Sequence, residues 1–250
     1  MKDSFPKILV ASPTSINKDY CFDQWIDNVF SFTYPNFDVV MFDNTSDDGK
    51  YADEITKRTW NRYGKKLIKF KAYNSLKIHG IEINSLFTKL TLSHNDCRDF
   101  FLGKNYDYLL HLESDIFPPK DVIERLLFHK KNIVGAGYHI YDGIKRTLLV
   151  YKHLELAPHK VTAKVSTPDD DILLMNGNCI KVAQIGLGCT LLSRKLLEKV
   201  KFRYDPEDLS YPDTHFSNDC HHIGVPIYCD TSFICRHENR TWGILGLDFN

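Results

Sequence analysis

Short apolar runs alternate with polar, turn-forming clusters along the first half of the chain. KILVAS (7–12) is continuously apolar after its lysine and opens into Pro13-Thr14-Ser15, the pattern of a buried strand that ends in a loop. Residues 19–32 repeat apolar positions at helical spacing, with Trp25, Ile26, Val29 and Phe30 on one face. FDVVMFDNTSDD (37–48) is a second β-rich run closed by a polar cluster, and KKLIKFKA (65–72) is a third. Residues 86–102 have a helical pattern that leads into the strand YDYLLHL (106–112). Strand, helix, strand, strand, helix, strand at this spacing predicts an α/β fold: a mixed, mostly parallel sheet flanked by helices.

Sheets of this kind bind ligands beyond the carboxyl ends of their strands. Three loops therefore stand out: Pro13-Thr14-Ser15, Asp43-Asn44-Thr45-Ser46 and Glu113-Ser114-Asp115. The second half reads differently. GYHIYDGIKRTLLVYK (137–152) places an Asp-Gly turn between β-prone arms and predicts a hairpin. Residues 152–171 are polar and poorly patterned, as in a long excursion or flexible loop. An Asn-Gly turn and the loop Gly186-Leu187-Gly188 follow, with Ser193 placed to cap a short helix over 194–200. No repeat or linker interrupts the chain, so one domain over 1–250 is expected, with the three strand-end loops in its first half (1–115) and the differently patterned segments in its second (116–250).

Composition changes this picture little. The chain has 250 residues, 43% of them hydrophobic, and 32 basic residues balance 32 acidic ones. A net charge of zero argues against gripping nucleic acid by bulk electrostatics. Seven cysteines without a Cys-x-x-Cys pair point to free thiols rather than a disulfide framework or structural zinc. The opening MKDSFPKILVASPT has too short an apolar run for a secretory signal, and no stretch reaches membrane-span length, so a cytoplasmic protein is expected.

The chemistry concentrates in YDYLLHLESDIFPPKDVIERLL (106–127). Glu113 and Asp115 stand two apart at the exit of a run containing Leu109, Leu110 and Leu112. In extended chain that spacing puts both carboxylates on one face. Such acids can simply be a solvated strand end. At the mouth of a buried strand, however, they repel one another unless a cation sits between them, and a hard divalent ion that also binds phosphate oxygens suits the place.

This segment resembles the Asp-x-Asp motif of GT-A glycosyltransferases of the family-2-like group. KILVASPTS resembles their first strand and nucleotide loop, and FDVVMFDNTSDD the second strand with its nucleotide-facing acid. IGLGCTLLSRKLLEKVKF resembles the acceptor-side segment, and YPDTHFSNDCHHIGVPIYCDTSFICRHE the segment with the catalytic acid and a late histidine. The likeness covers roughly residues 7–240, nearly a whole domain. It departs at Glu113, where the family has Asp, and at Pro212-Asp213, where the family has Glu-Asp.

The resemblance implies a metal-dependent transferase that moves a sugar from a nucleotide-diphospho-sugar, a UDP-sugar foremost, to an acceptor hydroxyl. Mn2+ or Mg2+ would be held by Glu113, Asp115 and His237. Pro13, Thr14, Ser15, Asp43, Asn44, Ser114, Gly188 and Trp242 would contact the donor, Trp242 as part of a lid. Asp213 would be the base of an inverting reaction, with Asp208, Asp219 and Glu207 as nearby alternatives. Bland roles stand beside these: a helix N-cap for Asp213, turn-making for Asp43, Thr14 and Ser15, and a surface position for His237 just past a strand over 231–235. Lys89, Arg98 and Arg236 are further candidates for the diphosphate. The acceptor class stays open, with nucleic acid unsupported. The alternatives are a nucleotidyltransferase, whose Gly-rich loop ASPTSINKD lacks, and a non-catalytic nucleotide- or glycan-binding module.

Overall fold

The computed structural model describes residues 5–64, 70–81, 85–141, 146–153, 161–164, 175–208 and 210–238. The first half is built from β1 (Ile8–Thr14), α1 (Asp19–Phe30), β2 (Phe37–Asp43), α2 (Lys50–Tyr63), β3 (Phe70–Asn74), α3 (Ser75–His79), α4 (Leu86–Leu102) and β4 (Tyr108–Leu112). After it come β5 (Ile116–Phe117), α5 (Val122–Phe128), β6 (Ile133–Tyr141), β7 (Arg146–Leu148), β8 (Val150–His153) and β9 (Val161–Lys164). The remainder is β10 (Cys179–Val182), β11 (Gln184–Ile185), β12 (Cys189–Ser193), α6 (Arg194–Leu197), α7 (Pro212–His222) and β13 (Ile227–His237).

The main sheet runs β10-β13-β6-β12-β4-β1-β2-β3. β3, β2, β1 and β4 are mutually parallel, and β12 is antiparallel to both β4 and β6. That places β6, and β13 parallel to it, in the direction of β1. Only β12 and β10 oppose the others along this path, so the mostly parallel sheet is as expected.

Alternation along the strands divides the core. On β1, Ile8 and Val10 face one layer with Trp25, Ile26 and Ile55 of α1 and α2. Leu9 and Ala11 face the other layer with Cys97, Phe101, Leu197 and Phe216 of α4, α6 and α7. A buried leucine or isoleucine of this kind contributes about 1.5–3 kcal/mol relative to exposure.

Several elements differ from expectation. β1 continues through Pro13 and Thr14. Pro13 is tolerated because the ladder to β4 already ends at Ala11, while Pro13 stays in register with Phe42 on the β2 side. α2 was not foreseen; it buries only Tyr51, Ala52, Ile55 and Thr59, a stripe too narrow to read as a helix. The polar stretch over 152–171 includes β9, which pairs antiparallel with β8. The hairpin is present as β6–β7, with its Asp-Gly turn outside the described residues. Ser193 does cap α6, its hydroxyl accepting from Leu196 N, although the helix stops at Leu197. β13 is longer than expected and carries His237 as its last residue, in register with Ile116 of β5.

Candidate active site

The three strand-end loops converge. The Thr14 hydroxyl donates to the Ser114 hydroxyl (3.0 Å), joining the end of β1 to the Glu-Ser-Asp turn. Asn44 N donates to the Thr14 carbonyl (2.9 Å), and Ile16 N to the Thr45 hydroxyl (2.9 Å), joining the end of β2 to the same place. The turn is fixed from behind: Trp25 Nε1 donates to the Glu113 carbonyl (2.9 Å), and Glu113 N donates to the Gly188 carbonyl (3.0 Å). Ser114 and Asp115 are buried and Glu113 is partly so.

Asp115 is the centre of charge. Its Oδ2 meets the Lys18 ammonium at the end of the turn after β1, and His237 Nε2 at 3.2 Å. Burial acts to raise the Asp115 carboxyl, but the His237 hydrogen bond and the Lys18 charge outweigh it and hold it below the usual carboxylate range. Glu113 goes the other way. Burial and then the Asp115 charge push it up, with Lys18 and His237 opposing. Lys18 and His237 thus oppose the cost of burial at both carboxyls, fully at Asp115 and only in part at Glu113.

His237 comes from the far side of the sheet, where β13 reaches the turn and Glu238 N donates to the Asp115 carbonyl (2.9 Å). His237 Nδ1–H donates to the His139 carbonyl at the end of β6 (2.7 Å). That bond leaves Nε2 directed at Asp115, the arrangement that orients ligating histidines.

Whether a divalent ion fits can be read from these donors. Asp115 Oδ1 is buried and without a hydrogen-bond partner, an orphaned acceptor beside an oriented imidazole. The pair fits two positions of a Mn2+ or Mg2+ shell whose other ligands come from phosphate oxygens and water. Among the described residues, no three His, Cys, Asp or Glu side chains close into a metal-sized cluster.

Asp213 lies in the first turn of α7, and Tyr211, not Asp213, is the N-cap. Its Oδ1 accepts from Thr214 N (2.8 Å), and its charge reaches Glu113 and the buried Tyr138. Of the alternatives, Asp219 is held by Arg203 through two bonds (2.8 and 3.0 Å), and Asp208 and Glu207 are exposed.

Other expected contacts are accounted for locally. Asp43 is fully buried, with Oδ1 accepting from Thr45 N (2.9 Å) and Oδ2 from Asn74 Nδ2 (2.8 Å), so it pins β2 to β3. Asn44 is buried and directs its amide toward Ser93 (3.5 Å), and Ser15 is extended just before the turn Ile16–Lys18. Gly188 needs no ligand to explain it: a Cβ there would lie 2.6 Å from the Tyr138 ring, and at Gly186 2.2 Å from its hydroxyl. Arg98 is committed to the Leu197 and Val200 carbonyls, and Lys89 donates to Ser46 (2.9 Å). Trp242 lies outside the described residues.

Sequence reasoning missed Lys18, Trp25, Tyr138 and His139. Lys18 had one local signal, a cation five residues beyond the Pro13 loop. The other three act through contacts at sequence separations that no local pattern encodes.

No protein-family model and no curated protein matches the chain. Solved structures do. It is similar to the mannosyltransferase PcManGT from Pyrobaculum calidifontis, in complex with GDP-Man and Mn2+, with a TM-score of 0.59 and 14% identity over 94% of this chain and 57% of that one. It is similar to residues 1–349 of TarS from S. aureus (TM-score 0.52, 15% identity, covering 92% and 60%). It is also similar to GalNAc-T7 with UDP, GalNAc and Mn2+ (TM-score 0.59, 11% identity, covering 94% and 44%). The chain therefore spans about half the length of these proteins. These superpositions show the fold: the chain has the GT-A fold of the glycosyltransferases it matches.

Proposed function

We propose that the protein is a glycosyltransferase that moves a sugar from a nucleotide-diphospho-sugar to an acceptor hydroxyl with inversion. The observation that carries this is Asp115: buried, ionised, bonded to His237 and left with one orphaned oxygen at the carboxyl end of parallel strands. The structural neighbours prepared with GDP-Man, UDP or GalNAc and with Mn2+ support the donor class.

Asp115 and His237 would hold a divalent ion, which when bound neutralises the leaving diphosphate. Glu113, its carboxyl raised by burial and by Asp115, gains most from added positive charge next to it. Lys18 brings a fixed ammonium to the same edge, placed to meet diphosphate oxygens when they arrive. The junction of Thr14, Ser114 and Asn44 forms the floor on which the nucleotide rests. Asp213 takes the acceptor proton; an alcohol attacks poorly until a positioned carboxylate removes it.

A second reading has one observation in its favour. Because Lys18 already neutralises Asp115, the site could bind nucleotide with an ammonium in place of a metal. Titrating UDP by calorimetry with and without MnCl2 separates the two. The proposal expects Mn2+-dependent binding that Asp115→Asn abolishes while the thermal unfolding of the free protein is retained. Equal binding in excess chelator, lost in Lys18→Ala, would establish the second reading instead.

A further inference from the structure

Three aromatic rings belong to neither core layer. Phe87, in the first turn of α4, stacks on Tyr204 with ring centroids 5.6 Å apart and planes at 6°. Phe87 also meets Tyr211 at 5.1 Å and 56°. All three are half-buried, and none packs into either hydrophobic cluster of the sheet. Half-buried rings grouped in one patch present aromatic faces that a ligand can cover.

Its position indicates which one. Tyr211 is the N-cap of α7, two residues before Asp213. Tyr211 thus links the ring group to the helix turn that carries the group assigned to deprotonate the acceptor, and the rings come from elements other than the donor loops at β1 and β2. The surrounding charge narrows the choice. Residues 204–213, YDPEDLSYPD, hold four carboxylates (Asp205, Glu207, Asp208 and Asp213) and no lysine or arginine. Arg203 is bound to Asp219. Phosphates, sulfates and carboxylates of a polyanionic acceptor would be repelled here.

We propose that Phe87, Tyr204 and Tyr211 form an acceptor platform that stacks against the apolar face of a pyranose ring and selects neutral glycans over anionic acceptors. This rests on the glycosyltransferase reading and specifies its acceptor class. A pyranose presents a C–H face to an aromatic ring and hydroxyls at its edge, so stacking on Phe87 and Tyr211 leaves a hydroxyl free to turn toward Asp213. The acidic residues accept hydrogen bonds from the other hydroxyls and exclude phosphorylated chains.

The test uses the full chain, fluorescently labelled, on an array of neutral, sialylated and phosphorylated oligosaccharides that also carries duplex DNA. Neutral oligosaccharides should be retained, and Phe87→Leu and Tyr204→Leu should each weaken retention about 10-fold, the scale of one lost stacking contact with its buried area. The thermal shift produced by UDP with MnCl2 should be unchanged in both variants, which shows that they fold and that the donor site is separate. Preference for phosphorylated glycans or DNA, no glycan retained, or full retention by both variants would each overturn the platform. Loss of the UDP shift in the unsubstituted protein, with ring-dependent glycan retention intact, would overturn the donor reading and leave the platform standing.

Discussion

Acid is expected to destabilise this protein through two buried histidines that are neutral in the folded state. His94 of α4 and His111 of β4 lie with Nδ1 and Nε2 2.7 Å apart, and His111 Nδ1–H donates to the Leu187 carbonyl (2.8 Å). Burial pulls His111 down from 6.5 to about 4, against a small opposing effect of the Leu187 bond. Burial, and then His111 itself, also pulls His94 down. The folded values lie below the unfolded one, so as pH falls the unfolded chain takes up protons first. The pair's contribution is whole above about pH 6.5 and is lost progressively toward about pH 4. For His111 alone that interval corresponds to about 3 kcal/mol, a large share of the stability of a typical domain. With both rings titrating only in the unfolded chain, the slope approaches about 2.7 kcal/mol per pH unit. Glu113 and Asp43, raised by burial, act in the opposite sense, so a control is needed. Urea unfolding between about pH 7.5 and about pH 4.5 should show a steep loss in the native sequence and a shallower one in His94→Asn/His111→Asn, which keeps both donors without the titration. Parallel profiles for the two proteins would refute the reasoning.

Other outcomes follow from the site. Asp213→Asn should lower turnover about 10²–10⁴-fold with donor affinity little changed, whereas Asp219→Asn, which only frees Arg203, should leave turnover nearly intact; the reverse result would move the base to Asp219. His237→Ala should raise the Mn2+ concentration for half-maximal activity, with part of the rate recovered at high metal, and an unchanged metal titration would remove His237 from the site. Gly188→Ala should cost about 1–3 kcal/mol by overpacking against Tyr138, and adding Tyr138→Leu should return part of it. If Gly188→Ala is neutral in urea unfolding, the contact with Tyr138 is softer than described.

The sheet was legible because its strands are long apolar runs, and a run such as YLLHL stays apolar wherever it pairs. The helix α2 was not, because Ile55 and Thr59 with Tyr51 and Ala52 give too little periodic signal against seven charged or amide neighbours on the same helix. Within the site, Asp115 could be read from its place at a strand exit. Lys18 and His139 could not: one is brought by a turn and the other by a carbonyl that every residue possesses. The two loop glycines were legible as exceptional positions, but the cause is Tyr138, about 50 residues earlier in the chain. Local sequence records what a residue can do and leaves out what fold partners do to it.

The last turn of β13 has a temporal consequence. His237 meets Asp115 across 122 residues, and the Tyr20 hydroxyl donates to the Glu238 carbonyl across 218. During synthesis β1, β2, β3 and β4 can pair as soon as they emerge, since all lie within the first 112 residues. The imidazole that orients Asp115 and the strand that closes over the turn come more than a hundred residues later. Contacts of such separation form late, after the loop-closure entropy of the intervening chain has been overcome. A chain that has emerged past Asp115 but not yet to His237 therefore carries β1 to β4 and both carboxylates without the imidazole that pairs with Asp115. Under the proposed function, chains that lack β13 are inert toward nucleotide sugar, because the pairing of Asp115 with His237 forms only when β13 reaches the turn.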